Sequence, residues 1–182
     1  MAEAFSNKLT RAAGIVTTSS SGSVGITTTI ITGISTVGVA VSDLVDNANF
    51  IAGTKVTGYG DAASQVVVDQ TSTNTAAVSG SAVVNFLGMT TAYTSAAATK
   101  SILIGGTFAN NTTSSVNLTV EIHDASAGVQ AALASKIPVP TGSSFVISDA
   151  GKSVLEANDE VRVFCDTANA IDVNLSILTG VS

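Results

Sequence analysis

Residues 116–123, VNLTVEIH, alternate apolar and polar side chains without a break. Val116, Leu118, Val120 and Ile122 fall on one side of an extended chain, and Asn117, Thr119, Glu121 and His123 on the other. A period of two is the signature of a β-strand with one buried and one wet face. Residues 171–177 repeat it, with Ile171, Val173, Leu175 and Ile177 set against Asp172, Asn174 and Ser176. Several such segments in succession predict an antiparallel sandwich or barrel.

The neighbouring sequence extends the pattern. Ile102, Ile104 and Phe108 read as one face of a strand, with Gly105 and Gly106 suggesting a bulge or close packing. A loop over 110–115 leads into the opening stretch. Residues 129–137 read as a strand, although Ala131 to Ala134 would equally suit a helical turn, and Pro138 and Pro140 mark an edge or an irregular crossing. Segments 144–148, 153–156, 160–166 and 171–178 complete the series. Asn158–Asp159 reads as a turn in which Asp159 accepts local backbone N–H bonds.

The first half is less regular. Residues 1–14 read as an arm, with room for one short helical turn over 2–12, and a Ser/Gly stretch follows at 19–23. Strands are expected at 26–32 and 37–41 around Gly33, and a loop at 43–52 carries Asn47 and Asn49. A hairpin is expected from 54–59 and 65–69 around Gly60–Asp61. Residues 71–81 form a long connection, 83–93 a strand, and 94–98 a small-residue hinge. The expected organisation is all-β: an N-terminal arm and linker (1–23), a small β-barrel-like module (24–94), and a C-terminal antiparallel β-sandwich, jelly-roll-like (95–182).

Composition narrows the function classes. Hydrophobic residues are 45 % of the 182 and charged residues only 11 %, against roughly 25 % in an average soluble domain. Thr and Val are abundant, and stiff β-branched side chains favour pleated surfaces. Mean hydropathy is +0.47, yet the most apolar window, 26–45, is broken by Thr, Ser and Asp43. A spanning helix needs roughly 20 continuous apolar residues, and aromatics at 4 % with no Trp do not supply the girdles of a membrane barrel. A net charge of −6 with basic residues scattered argues against a nucleic-acid backbone as partner. No secretory signal is read in residues 1–14. A single cysteine, Cys165, allows no internal disulfide; in phase with Val161 and Val163, it reads as a buried hydrophobe.

Residues that suggest chemistry each have a plainer reading. His123, with Glu121 and Asp124 nearby, lacks a second imidazole, and the chain has no Gly-x-Ser-x-Gly elbow, so it reads as a residue of the polar face. Asp43 and Asp46 offer oxygen ligands for calcium, but their spacing matches no EF-hand loop. Glu156, Asp159 and Glu160 could pair as glycosidase acid and base, but no aromatic platform for a sugar accompanies them. Neither a Walker A nor a dinucleotide fingerprint occurs, and Cys165 has no evident base. No catalytic residue, cofactor or metal is expected.

Three longer stretches carry a resemblance: TKSILIGGTFANNTTSSVNLTVEIHD (99–124), KIPVPTGSSFVI (136–147) and KSVLEANDEVRVFCDTANAIDVNLSIL (152–178). Together they resemble a β-sandwich module of tailed-bacteriophage virion proteins, most of all small structural proteins of contractile-tailed phages infecting marine cyanobacteria. The apolar ILIGG strand, the Asn-rich turn, the segment Pro138 to Ser144 and the Leu155-to-Asp159 turn carry it. Residues 31–57 (ITGISTVGVAVSDLVDNANFIAGTKVT) and the VVVDQTST stretch also look like a small β module common in phage particles. The resemblance implies a noncatalytic virion component present in many copies, assembled in the host cytoplasm, whose partners are itself and capsid, neck or tail proteins. It transfers no functional residues.

The residues themselves point the same way. A charge-poor β protein suits symmetric assembly, with neighbours docking on the Thr- and Asn-rich strand faces. The contacts expected from sequence are Phe5, Lys8, Leu9 and Arg11 of the arm and Asn47, Asn49 and Phe50 of the 43–52 loop. The rival reading is a receptor- or glycan-binding adhesion module, which the two tyrosines, Tyr59 and Tyr93, equip poorly.

Overall fold

A computed structural model describes residues 3–148 and 152–181. All its regular structure is β, in antiparallel pairs, and the chain divides into two compact units: Met1–Gly14 with Thr90–Ser182, and the inserted Ile15–Met89.

The first unit is a β-sandwich. One sheet runs in the order β1 (Ala4–Ala13), β15 (Ile171–Val181), β9 (Lys100–Asn110), β12 (Ser144–Ile147), with β13 (Ser153–Leu155) on the same side of β9 as β12. The other runs β11 (Val129–Val139), β10 (Val116–Asp124), β14 (Glu160–Cys165), β8 (Thr90–Thr94). The alternation seen in sequence supplies the core between them. Leu103, Phe108, Val173, Leu175 and Ile177 of one sheet pack in a single cluster with Val116, Leu118, Val120, Val161 and Val163 of the other. Phe108 and Phe145 add a tilted ring contact, centroids 6.1 Å apart. Fully burying each such side chain contributes about 1.5–3 kcal/mol.

The second unit builds its own core from Val24, Ile31, Val45, Phe50, Val56, Val66, Val84 and Phe86, among others. Its strands are ordered β4 (Leu44–Asp46), β7 (Val78–Gly88), β2 (Ile15–Val24), β3 (Ile30–Thr32), β6 (Gln65–Val68), β5 (Val56–Tyr59). The first and last of these also meet. Leu44 bridges Lys55, the Val45 N–H donates to Thr54 O at 2.8 Å, and the Val56 N–H donates to Asp43 O at 2.9 Å. The sheet therefore closes on itself as a small barrel, which removes its edges.

Several expectations need revision. The segment read as an arm is strand over 4–13 rather than a helical turn, and the Ser/Gly stretch lies inside β2; residues 1 and 2 of the arm lie outside the described residues. The compact units meet at 14/15 and 89/90, where the sequence suggested breaks at 23/24 and 94/95. Residues 37–41 form turns, the 43–52 loop contains β4, and the long connection gives its last residues to β7. Ala131 to Ala134 are strand. On β9 the phase changes partway: Ser176 faces Gly105 while Ile177 faces Leu103, so Ile104 is an extra residue. That bulge puts Leu103 and Phe108 into the core and leaves Ile102 and Ile104 half-buried on the other face. Gly105 is required beside it, because a Cβ there would lie 2.8 Å from Ile147 O. The wet face expected for β10 is also partly closed: Thr119 and Glu121 are buried, and the Lys136 N–H on neighbouring β11 donates to Thr119 Oγ1 at 3.1 Å.

Candidate interaction surface

β1 pairs with β15 in unbroken register from Ala4 opposite Thr179 to Thr10 opposite Val173. Residues directly opposite in an antiparallel pair share a face. Ser6, Lys8 and Thr10 therefore share the side of Ile177, Leu175 and Val173, which point into the core. Phe5, Asn7 and Leu9 share the outer side with Leu178, Ser176 and Asn174. The polarity of β1 is thus the reverse of its neighbour's: polar inward and apolar outward. Phe5 is 63 % exposed and Leu9 74 %.

These two side chains begin two rows across the outer face of the sheet. Phe5 is followed by Leu178, Ile102 and Val154, one from each successive strand. Leu9 is followed by Asn174, Thr107 and Val146. Val154 and Val146 are each more than half exposed, at 57 % and 56 %. Strands lie ≈ 4.8 Å apart, so the first row is an apolar stripe about 15 Å long. Beside Leu9 a shallow depression of about 330 Å³ is lined by Arg11, Thr107, Asp172 and Asn174, among others.

The ends of the sandwich sheets differ in how they are finished. β12 and β13 are only four and three residues long. β8 has five residues and a break in register opposite Val161/Arg162. β11 is long, but its register against β10 breaks twice, Lys136 sits at φ 48°, and Pro138 supplies no N–H. β1 has ten residues and an even register as far as Thr10. Beyond that, Ala12 takes φ 55° and its N–H donates to Asp172 Oδ1 at 2.9 Å. Gly14 then turns the chain at φ 119°, where a Cβ would lie 2.5 Å from Thr167 O.

The second group of expected contact residues falls elsewhere. Phe50 is only 5 % exposed and belongs to the barrel core, so its ring is unavailable to a neighbour. Asn47 is occupied locally: its Nδ2 donates to Val83 O at 2.8 Å and its Oδ1 accepts the Asn49 N–H at 2.9 Å. Asn49 itself holds the loop to Thr73, whose N–H donates to Asn49 O at 2.8 Å.

Residues with chemical potential are used structurally. Glu156 pairs with Lys100 at 3.0 Å and Glu160 with Arg162 at 2.7 Å. Asp159 accepts the N–H of Glu156 at 2.9 Å and of Ala125 at 3.0 Å, making the turn read from sequence. Asp43 accepts the Ala40 N–H at 2.8 Å, and its burial pushes the carboxyl above its ordinary range. Cys165 lies in the sandwich core with Val161 and Val163, and burial first of all pushes its thiol up to about 11. His123 is half-buried, with Nδ1 enclosed and unbonded. Among the described residues, no group of three or more His, Cys, Asp or Glu side chains gathers to hold a metal. The Tyr93 hydroxyl hydrogen-bonds Ser101 Oγ at 2.8 Å, and that of Tyr59 donates to Val39 O.

Comparison with protein-family models, curated proteins and solved structures finds no match. The sequence picked out Phe5 and Leu9 of the outer surface but not Val146, Val154, Leu178 or Ile102. Their signal was present: each is an apolar residue in the phase opposite to its strand's core residues. It becomes readable only once the bulge on β9 is placed.

Proposed function

We propose that the protein is a noncatalytic structural component of a tailed-phage particle, assembled in multiple copies with itself and with capsid, neck or tail proteins. The observation that carries this reading is the reversed polarity of β1, which exposes Phe5 and Leu9 at the head of two rows on the outer sheet face. Exposed apolar area of this kind is costly in water and marks a protein-binding surface. The likeness of residues 99–178 to virion sandwich modules supplies the setting. The use of Glu156, Asp159, Glu160 and Cys165 in turns, ion pairs and core supports a noncatalytic role. Antibodies raised against the chain and imaged on intact particles should decorate a regular set of positions. A chain that stays monomeric at all concentrations and never binds particles contradicts the reading.

A further inference from the structure

We infer that β1 pairs with β1 of a second copy, antiparallel and about a two-fold axis through Asn7, joining the two outer sheets into one. This rests on the assembly reading above and names the partner and the register of that surface.

The sheet order ends at β1, so among the described residues one side of its backbone carries no strand. An unpaired row of N–H and C=O groups is a template for another strand. The even register of β1 ends at Thr10, whose inward Oγ1 donates to Ala92 O of the opposite sheet at 3.5 Å. Residues 5–9 are therefore left for a main-chain ladder.

The side chains select the occupant and the register. With the axis at Asn7, Phe5 falls opposite Leu9 of the second copy and Leu9 opposite its Phe5. Asn7 meets Asn7, and Lys8 meets the Ser6 hydroxyl. At the two ends Glu3, the exposed residue before β1, faces Arg11 of the other copy. The two large apolar residues meet each other, Ala4 meets Thr10, and every charge meets its opposite or a hydroxyl. A shift of the axis by one residue destroys this. An axis at Lys8 sets Lys8 against Lys8 and Phe5 against Arg11. An axis at Ser6 sets Phe5 against Asn7 and Glu3 against Leu9. Axes between residues oppose Phe5 to Ser6, Lys8 or Thr10, all inner-face residues. The pattern EAFSNKLTR over 3–11 is complementary to its own reverse about Asn7 and no neighbouring residue. Self-complementarity of this kind is what a two-fold interface requires.

A cysteine placed on the axis reports the register. Opposed Cα atoms in an antiparallel pair lie 4.5–5.5 Å apart, within disulfide reach. Under mild oxidation the full chain carrying Asn7→Cys should form at least about tenfold more covalent dimer than Lys8→Cys, whose partner cysteine lies beyond disulfide range. Phe5→Cys mixed with Leu9→Cys should cross-link as a heterodimer, whereas each alone should not. Glu3→Arg or Arg11→Glu should weaken the dimer about three- to tenfold, and the double reversal should restore it. Sedimentation velocity of the unmodified chain is run alongside. If the chain self-associates but Asn7→Cys cross-links no better than Lys8→Cys and the mixed pair fails, the register is overturned while assembly stands. If the chain is monomeric throughout and absent from particles, both are overturned.

Discussion

β1 and β11 are the two long edges of the same sandwich, and they are finished in opposite ways. β11 sets two residues, Ser135 and Lys136, opposite Thr119 alone, has a second break at Leu133, and carries Pro138 near its end. These bend the strand and Pro138 removes a backbone donor, the usual defences against strand addition. β1 keeps an even register over seven residues and turns Phe5 and Leu9 outward. Lys8, an inward charge at an edge, is its single defence, and in the two-fold register it meets a hydroxyl. The proposed pairing of β1 with a second copy draws on this difference between the two edges. The barrel is a third case, since Leu44 and Lys55 close its sheet and leave no edge to guard.

The largest expected effect breaks the comparison at β1. Phe5→Lys with Leu9→Lys should lower self-association at least about hundredfold, because four apolar side chains per dimer lose their burial. Both side chains are exposed, so thermal unfolding of the isolated chain should move little. Sedimentation velocity and differential scanning calorimetry together check this.

The next change acts at the tethered end of β11. Asn110 is buried; its Nδ2 donates to Val139 O at 2.9 Å and Ser114 O at 2.7 Å, and its Oδ1 accepts the Thr112 N–H at 2.8 Å. Asn110→Ala leaves those backbone groups unpaired and should cost about 2–3 kcal/mol in urea unfolding. The buried Cys165 thiol, held up to about 11, gives a second readout. It should resist labelling at pH 8 in the wild type and label with the unfolding fraction in the variant.

Removing the guards of β11 sharpens the comparison from the other side. Deleting Ser135 leaves Lys136 alone opposite Thr119, which makes the ladder regular there without turning Ile137 out of phase. Combined with Pro138→Thr, it should restore measurable association, on the order of tenfold, to the Phe5→Lys/Leu9→Lys chain. Unchanged monomer would mean that the bulge does not guard the edge.

The smallest effect is expected in the barrel. Burial raises the Asp43 carboxyl above its ordinary 3.8, so the folded state holds a proton more tightly than the unfolded one. Stability should therefore rise as pH falls from above the raised value towards 3.8. Asp43→Asn keeps an oxygen acceptor for the Ala40 N–H, removes that pH dependence, and should leave the melting temperature at pH 7 equal or higher.

Much of the sandwich was legible because β10 and β15 alternate apolar and polar residues in sequence, a signal that needs no partner to be seen, although Thr119 and Glu121 of β10 are buried as well. The 54–59/65–69 hairpin and the Asp159 turn were legible for the same local reason. β1 was not, because Phe5 and Leu9 stand four residues apart, a helical spacing. It becomes a strand only through pairing with β15, some 170 residues away. The barrel insertion leaves no local mark either, since β1 reads directly into β2 through Gly14. The misplaced face of Ile102 and Ile104 has one cause, a bulge that shifts the period by a single residue. Of the expected contact residues, Phe5 and Leu9 lie on the outer surface while Phe50 is core: an apolar residue among polar ones reads the same from sequence whether it faces solvent or the interior.

Amide hydrogen exchange followed against protein concentration tests the central claim most directly, since it reports both edges in one experiment. Protection over residues 5–9 should rise with concentration while 129–137 stays constant. If 5–9 exchange equally fast at every concentration, or protection appears on β11 instead, the open edge of β1 is not the assembly surface.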